Sequence, residues 1–143
     1  MEPSHVLVAL DGSPLADDAL SHTLSVYDCR VTVLNIVMPL DATMSEGGIL
    51  EADESRKAAA RERADRLVDR AQSSAAEADR EIETAVESGD PAEAIVDYAE
   101  RNDVDHIVMG SHGSDRHVVS RRLLGTVSTD VIGDSPVSVT VIR

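Results

Sequence analysis

Short apolar runs alternate along the whole chain with longer segments in which apolar residues return every third or fourth position. His5 to Leu10 is a run with no clean polar alternation, which predicts a strand buried on both faces. It ends at Asp11-Gly12-Ser13-Pro14, where Ser13-Pro14 reads as an N-cap followed by proline at the first helical position. Ala16, Ala19, Leu20, Thr23 and Leu24 then recur at helical spacing, predicting a helix to about Val26. Asp28-Cys29-Arg30 reads as a turn, Val31 to Val37 as a second buried strand, and Pro39 as its end. A polar connection, Asp41 to Gly48, leads into a long, largely exposed helix from about Leu50 to Ala78. Leu67, Val68 and Ala71 fall on one side of it, and pairs such as Glu62–Arg66 stand at i,i+4. Glu81 to Val86 alternates polar and apolar, a third strand with one wetter side. Asp90 and Pro91 open a helix with Ala94, Ile95, Tyr98 and Ala99 facing inward, ended by Asn102-Asp103. A central strand, Ile107 to Met109, stops at Gly110. After a loop come a helix from Leu124 to about Ile132 and a last strand from Val137 to Ile142.

Strands separated by helices require crossover connections, and therefore a parallel sheet with helices on both faces. In open sheets of this kind ligands bind beyond the carboxyl ends of the strands, where the strand order reverses. Asp11 and Gly110 both fall at such ends. If the first and fourth strands are neighbours, the two residues face one crevice.

Composition narrows the class. The 143 residues make one domain, 1–143, of which 42% are hydrophobic, with no Phe or Trp and two Tyr, so the core is to be built from Val, Ile, Leu, Ala and Met. No apolar run approaches the roughly 20 residues that span a bilayer, so no membrane association is expected. Met1-Glu2-Pro3-Ser4 lacks the basic region of a signal peptide, and the single cysteine, Cys29, excludes an internal disulfide or a cysteine-based zinc cluster. A cytoplasmic location is the expectation.

Charge narrows it further. The chain has 27 acidic against 13 basic residues, net −14, and Lys57 is its one lysine. A nucleic-acid-binding domain carries the opposite sign, so no nucleic-acid partner is expected. Dispersed carboxylates with scarce lysine fit adaptation to very high salt, where self-repulsion is screened. An acidic patch for a basic partner is the alternative. Within this acidic chain, residues 110–126 form a basic island: Arg116, Arg121 and Arg122 against Asp115, with His112 and His117. Glycines at a strand end let backbone N–H groups approach an anion, and the helix that follows offers the positive end of its dipole. A glycine-rich turn with solvated arginines is the bland reading of the same residues.

Catalytic motifs are not matched. There is no GxxxxGK[ST], and the glycines follow the fourth strand and not the first, unlike the dinucleotide fingerprint. An aspartyl-phosphate at Asp11 would want a second acid for magnesium, which Gly12-Ser13 does not supply. Gly110-Ser111-His112-Gly113 is not GxSxG, and no histidines pair at i,i+4.

Five ordered segments together resemble the universal stress protein family: Val6 to Ser13, Gly89-Asp90-Pro91 with Ile95, Asp105 to Gly113, Leu124-Gly125-Thr126-Val127-Ser128, and Ser135 to Val139. The resemblance covers essentially the whole chain. It implies an open five-stranded parallel sheet of order 3-2-1-4-5 with helices on both faces, adenine nucleotide alpha hydrolase-like, and a homodimer. The last strand, Val137 to Ile142, carries no charge or proline to block edge pairing, and is the expected dimer contact. The ATP-binding branch holds nucleotide with G-x2-G-x9-G-[ST]. Carried onto this chain, Asp11 and the backbone of Ala9 and Leu10 face adenine and ribose, and Ile36 lines the base pocket. Met109, Gly110, Ser111 and Gly113 cradle ribose and phosphates, and Gly125, Thr126, Val127 and Ser128 close on the phosphates. This chain departs from the pattern in one place, because eleven residues and not nine separate Gly113 from Gly125. The implied ligand is ATP or AMP, with Mg2+ held through the phosphates and no protein metal ligand or catalytic residue. The implied role is regulatory in stress response. A weak ATP hydrolase and a nucleotide-free interaction module are the rivals.

Overall fold

A computed structural model describes residues 2–37, 50–111 and 125–143. The strands are β1 (His5–Ala9), β2 (Arg30–Val37), β3 (Glu83–Ser88), β4 (His106–Gly110) and β5 (Ser138–Ile142). The helices are α1 (Pro14–Val26), α2 (Leu50–Glu77), α3 (Pro91–Arg101) and α4 (Thr126–Asp134). All five strands are parallel, in the order β3-β2-β1-β4-β5 that the family resemblance implies. Among the described residues no helix is long and apolar enough to cross a membrane.

The two faces of the sheet have separate cores. Val6, Val8 and Leu10 point to one face with Val31, Val33 and Val108, and are covered by Ala16, Ala19 and Leu20 of α1 and Leu67 and Ala71 of α2. Leu7 points to the other with Leu34, Ile107 and Met109, under Ala92, Ile95 and Ala99 of α3 and Val131 of α4. Successive strand residues alternate between faces, so a run apolar at every position fills both cores. Among its described side chains the long helix buries Ala64, Leu67, Ala71 and Ala75, a narrow stripe whose mostly small side chains let α2 lie close to the sheet, while most of the others are exposed. Val68, expected on that stripe, is half-buried.

Helix starts follow the sequence at α1 and α3. The Ser13 hydroxyl accepts the Ala16 N–H (3.2 Å), the Asp90 carboxylate accepts the Glu93 N–H (3.2 Å), and proline takes the first position of both helices. Several boundaries move by a few residues, three of them for a visible local reason. β3 starts at Glu83 because residues 78–80 still close the end of α2, with the Arg80 N–H bonded to Ala75 O at 2.8 Å. β5 starts at Ser138 because the Val137 N–H is turned to the Ser135 hydroxyl (3.1 Å). α4 starts at Thr126, its Gly125 N-cap bonded back to Ser111.

The amino end of the sheet is closed by side chains. The Asp105 carboxylate accepts the N–H and hydroxyl of Ser4 and the N–H of His5 (2.8, 2.7 and 3.1 Å), and the Asp105 N–H returns a bond to His5 O at 3.0 Å. The buried His5 ring lies 3.1 Å from the Asn102 carbonyl through Nδ1 and 2.8 Å from the Thr32 hydroxyl through Nε2. The neutral ring with its proton on Nδ1 satisfies both contacts. Burial, with the nearby Arg30 guanidinium, holds its pKa below the usual histidine value. Burial does the same for His106, which lies 2.7 Å from the Thr140 hydroxyl.

Candidate functional site

The carboxyl edge opens where β1 and β4 part. The two strands are paired through Val6↔His106, Leu7↔Ile107 and Val8↔Val108. Beyond that, β1 stays with β2: Ala9 pairs with Leu34, the Leu10 N–H donates to Leu34 O (2.9 Å), and Asn35 Nδ2 donates to Leu10 O (2.7 Å). β4 stays with β5, through Met109↔Val141, Gly110↔Ile142 and a bond from the Ser111 N–H to Ile142 O at 2.8 Å. Ala9-Leu10-Asp11 and Met109-Gly110-Ser111 thus flank a crevice at the reversal of strand order, where open parallel sheets bind ligands.

One side of this edge is apolar. Ala9, Ile36, Met109 and Val127 all belong to the core facing α3 and α4; Met109 is buried, and the other three are half-buried where that core meets the edge. The turn after β1 is fixed locally. Asp11 Oδ1 accepts the Ser13 N–H (2.9 Å), and Gly12 takes φ +86°, a conformation that favours glycine. The Asp11 side chain remains exposed.

Two expected ligand positions prove to have structural duties. A Cβ on Gly110 would lie 2.8 Å from Leu15 Cβ and 3.0 Å from Leu15 C, so glycine is required here by the close approach of the first turn of α1 to β4. The Ser128 hydroxyl, buried, lies 3.0 Å from Ser111 O and 3.0 Å from Gly125 O. With the Gly125 N–H donating to Ser111 O at 2.6 Å, it clamps the start of α4 onto the end of β4. A ligand would meet the backbone of Ser128 and not its hydroxyl.

The start of α4 differs from those of α1 and α3. Gly125 supplies no side-chain cap, and the first turn holds no acidic residue, whereas α1 has Ser13 and Asp17, and α3 has Asp90 and Glu93. Its first-turn N–H groups, at Thr126 and Val127, carry the positive end of the helix dipole beside the crevice, and no side chain among the described residues caps them. Gly113 and the basic island of Arg116, Arg121, Arg122, His112 and His117 lie outside the described residues. Arg63, not foreseen from the sequence, comes from α2 to place Nη2 3.4 Å from Asp11 O. Its signal was its spacing: four residues before Leu67, it borders the buried stripe. Among the described residues no three His, Cys, Asp or Glu side chains gather as a metal site. Of the described polar groups at the edge, only the Asp11 carboxylate suits Mg2+, and one of its oxygens is engaged by Ser13; such an ion would have to be held mainly by phosphate oxygens.

The family model described as the universal stress protein family matches residues 3–143. The chain belongs to the universal stress protein family. Over 55 residues it is 46% identical to a universal stress protein of Methanothermobacter thermautotrophicus; the match covers 38% of this chain and 36% of that relative's own length. The whole fold superposes on universal stress protein UspA from Lactobacillus plantarum with a TM-score of 0.86 at 22% identity, covering 100% of this chain and 99% of that one. It superposes on hypothetical protein MJ0577 with a TM-score of 0.82 at 27% identity, covering 97% and 94%. Two further family members of the same fold were solved with nucleotide. An Arabidopsis thaliana protein has AMP bound (TM-score 0.71, 21% identity, 98% and 91% covered). An Archaeoglobus fulgidus protein is in complex with dAMP (TM-score 0.65, 23% identity, 100% and 100% covered). The sheet order and the helices on both faces are those of this adenine nucleotide alpha hydrolase-like fold.

Proposed function

We propose that this universal stress protein binds an adenine nucleotide, ATP or AMP, in the crevice between β1 and β4, and acts in the cytoplasm as a regulator in stress response and not as a catalyst. The observation that carries the reading is the uncapped start of α4 beside the half-buried apolar residues Ala9, Ile36 and Val127. An apolar surface next to backbone donors that no described side chain caps suits a flat base joined to an anion. The AMP and dAMP bound by two family members fit the same choice of ligand.

In this reading Ala9, Leu10 and Asp11 face adenine and ribose and Ile36 lines the base. Met109, Gly110, Ser111 and Gly113 follow the ribose and phosphates, and Gly125, Thr126, Val127 and Ser128 meet the phosphates, which would carry any Mg2+. The Leu10 N–H and carbonyl are already bonded to β2, so Leu10 offers contact and not hydrogen bonds. The protein pairs through the free edge of β5 as a homodimer, and takes no nucleic acid. Light scattering that finds a monomer in high salt would remove the dimer.

Mass spectrometry of freshly purified, denatured protein tests the ligand, with AMP or ATP the expected release. Gly113→Val is expected to abolish nucleotide binding while leaving the protein folded. Wild-type ATP affinity in that variant, measured by calorimetry, would sink the assignment.

A further inference from the structure

Several described cations already have partners. Arg30 pairs with Glu83 at 2.7 Å, Arg70 with Asp17 at 3.2 Å, and Arg101 with Glu87 and Asp97 at 3.3 and 3.2 Å. Arg80 donates to the carbonyls of Leu24, Tyr27 and Cys29 beyond the end of α1. Arg63 differs in partner and in place. Its Nη2 makes one long bond, 3.4 Å, to a neutral acceptor, and no carboxylate among the described residues pairs with it. That acceptor, the Asp11 carbonyl, belongs to the turn that forms one wall of the crevice. The same nitrogen stands 3.8 Å from the position a Gly12 Cβ would take, so the guanidinium lies directly over the turn.

An anion approaching a chain of net charge −14 meets a repulsive field, and the exposed Asp11 carboxylate is part of it. A guanidinium that exchanges a long bond to a carbonyl for a forked, charge-assisted pair with phosphate strengthens its own interaction and offsets that repulsion. We propose that Arg63 is a ligand-contacting residue of the crevice: when a nucleotide enters, its guanidinium leaves the Asp11 carbonyl for the phosphate chain, so that the site selects nucleotides over the uncharged nucleoside. This rests on the nucleotide reading given above. It adds a charge from α2, on the face of the sheet opposite α4.

Calorimetric titrations of AMP and of adenosine into wild type, R63Q and R63K test it. In R63Q, AMP is expected to bind about tenfold more weakly, the loss of one charge-assisted bond, while adenosine changes less than about twofold. R63K, which keeps the charge, is expected to retain most of the preference for AMP. If Arg63 is only a tether between α2 and the turn, AMP and adenosine weaken together in R63Q and its melting temperature falls; that outcome overturns the proposal. Unchanged AMP affinity in R63Q overturns it as well. Wild type that binds neither compound overturns the nucleotide reading and the role of Arg63 with it, so the wild-type titration alone separates the two failures.

Discussion

Replacing Gly110 by alanine puts a methyl group where α1 already stands. The added carbon would lie 2.8 Å from Leu15 Cβ, 3.0 Å from Leu15 C and 3.2 Å from Ala16 N. Two of these atoms are backbone, in a helix start held by the Ser13 cap and by Pro14, so no flexible side chain can turn aside. The helix or the strand must shift instead. Such overpacking costs about 1–3 kcal/mol, or a melting temperature lower by roughly 3–12 °C for a domain of this size. Gly133→Ala is the matched control, because among the described residues nothing beyond the local backbone of α4 lies within 4 Å of its added carbon. Inside α4 that exchange is expected to stabilise by about 0.5–1 kcal/mol, the helix preference of alanine over glycine. The assay is thermal unfolding of nucleotide-free protein in high salt. If Gly110 serves only to let a ligand approach the backbone, the nucleotide-free variant melts with wild type and loses affinity alone. A melting temperature within a degree of wild type would therefore refute the packing explanation.

Two further outcomes are expected. Lowering KCl from 1 M to 0.1 M lengthens the screening distance from about 3 Å to about 10 Å. With 27 acidic against 13 basic groups the melting temperature should fall, and one independent of KCl removes adaptation to high salt as the cause of the composition. In 1 M KCl, where that repulsion is screened, acid should still destabilise the fold through His5 and His106. Both have pKa values lowered by burial below the ordinary 6.5, so the unfolded chain takes up their protons first. The stability they lend is present above pH 6.5 and drains away as pH falls from there toward their folded values. A melting temperature flat between about pH 7.5 and about pH 5 at 1 M KCl, the interval in which histidine takes up its proton, would refute the sign.

Four strands were legible as short runs rich in Val, Ile and Leu and the third by its polar–apolar alternation, and Ser13-Pro14 and Asp90-Pro91 announced two helix starts to the residue. Ala64 and Ala75 were not assigned to the core, because alanine is as frequent on an exposed helix as on a buried stripe. The pattern around Gly110 suggests a place for a ligand, and the contact of Gly110 with Leu15 depends on how α1 crosses β4, which no local pattern encodes. The inward turn of the Ser128 hydroxyl is hidden for the same reason, since its acceptor at Ser111 lies 17 residues away. The Asp105 lock on His5 joins residues 100 apart and has no periodicity to betray it. What the pattern records is burial and local capping; what it omits is which surfaces meet.

The two ends of the sheet are built differently, and the difference bears on where a ligand can act. At the amino end, charges and hydroxyls are matched within the chain: Asp105 takes three donors from Ser4 and His5, His5 lies between Asn102 and Thr32, and Arg30 grips Glu83 through two nitrogens. Among the described residues no buried side-chain nitrogen or oxygen lacks a partner. A ligand binding there would have to break bonds already made. At the carboxyl end the matching is done by backbone and by small residues, through Gly125, Ser111 and Ser128, and it secures the position of α4 without capping its first-turn donors by a side chain. Adding a side-chain cap there should therefore compete with a ligand. Gly125→Asp places a carboxylate at the N-cap, where it is expected to stabilise α4 by up to about 1 kcal/mol while repelling a phosphate at the same N–H groups. Higher thermal stability together with weaker AMP binding is the expected pair of results. A variant that gains stability and still binds AMP as tightly as wild type would show that the phosphate does not sit at α4, whatever else the crevice holds.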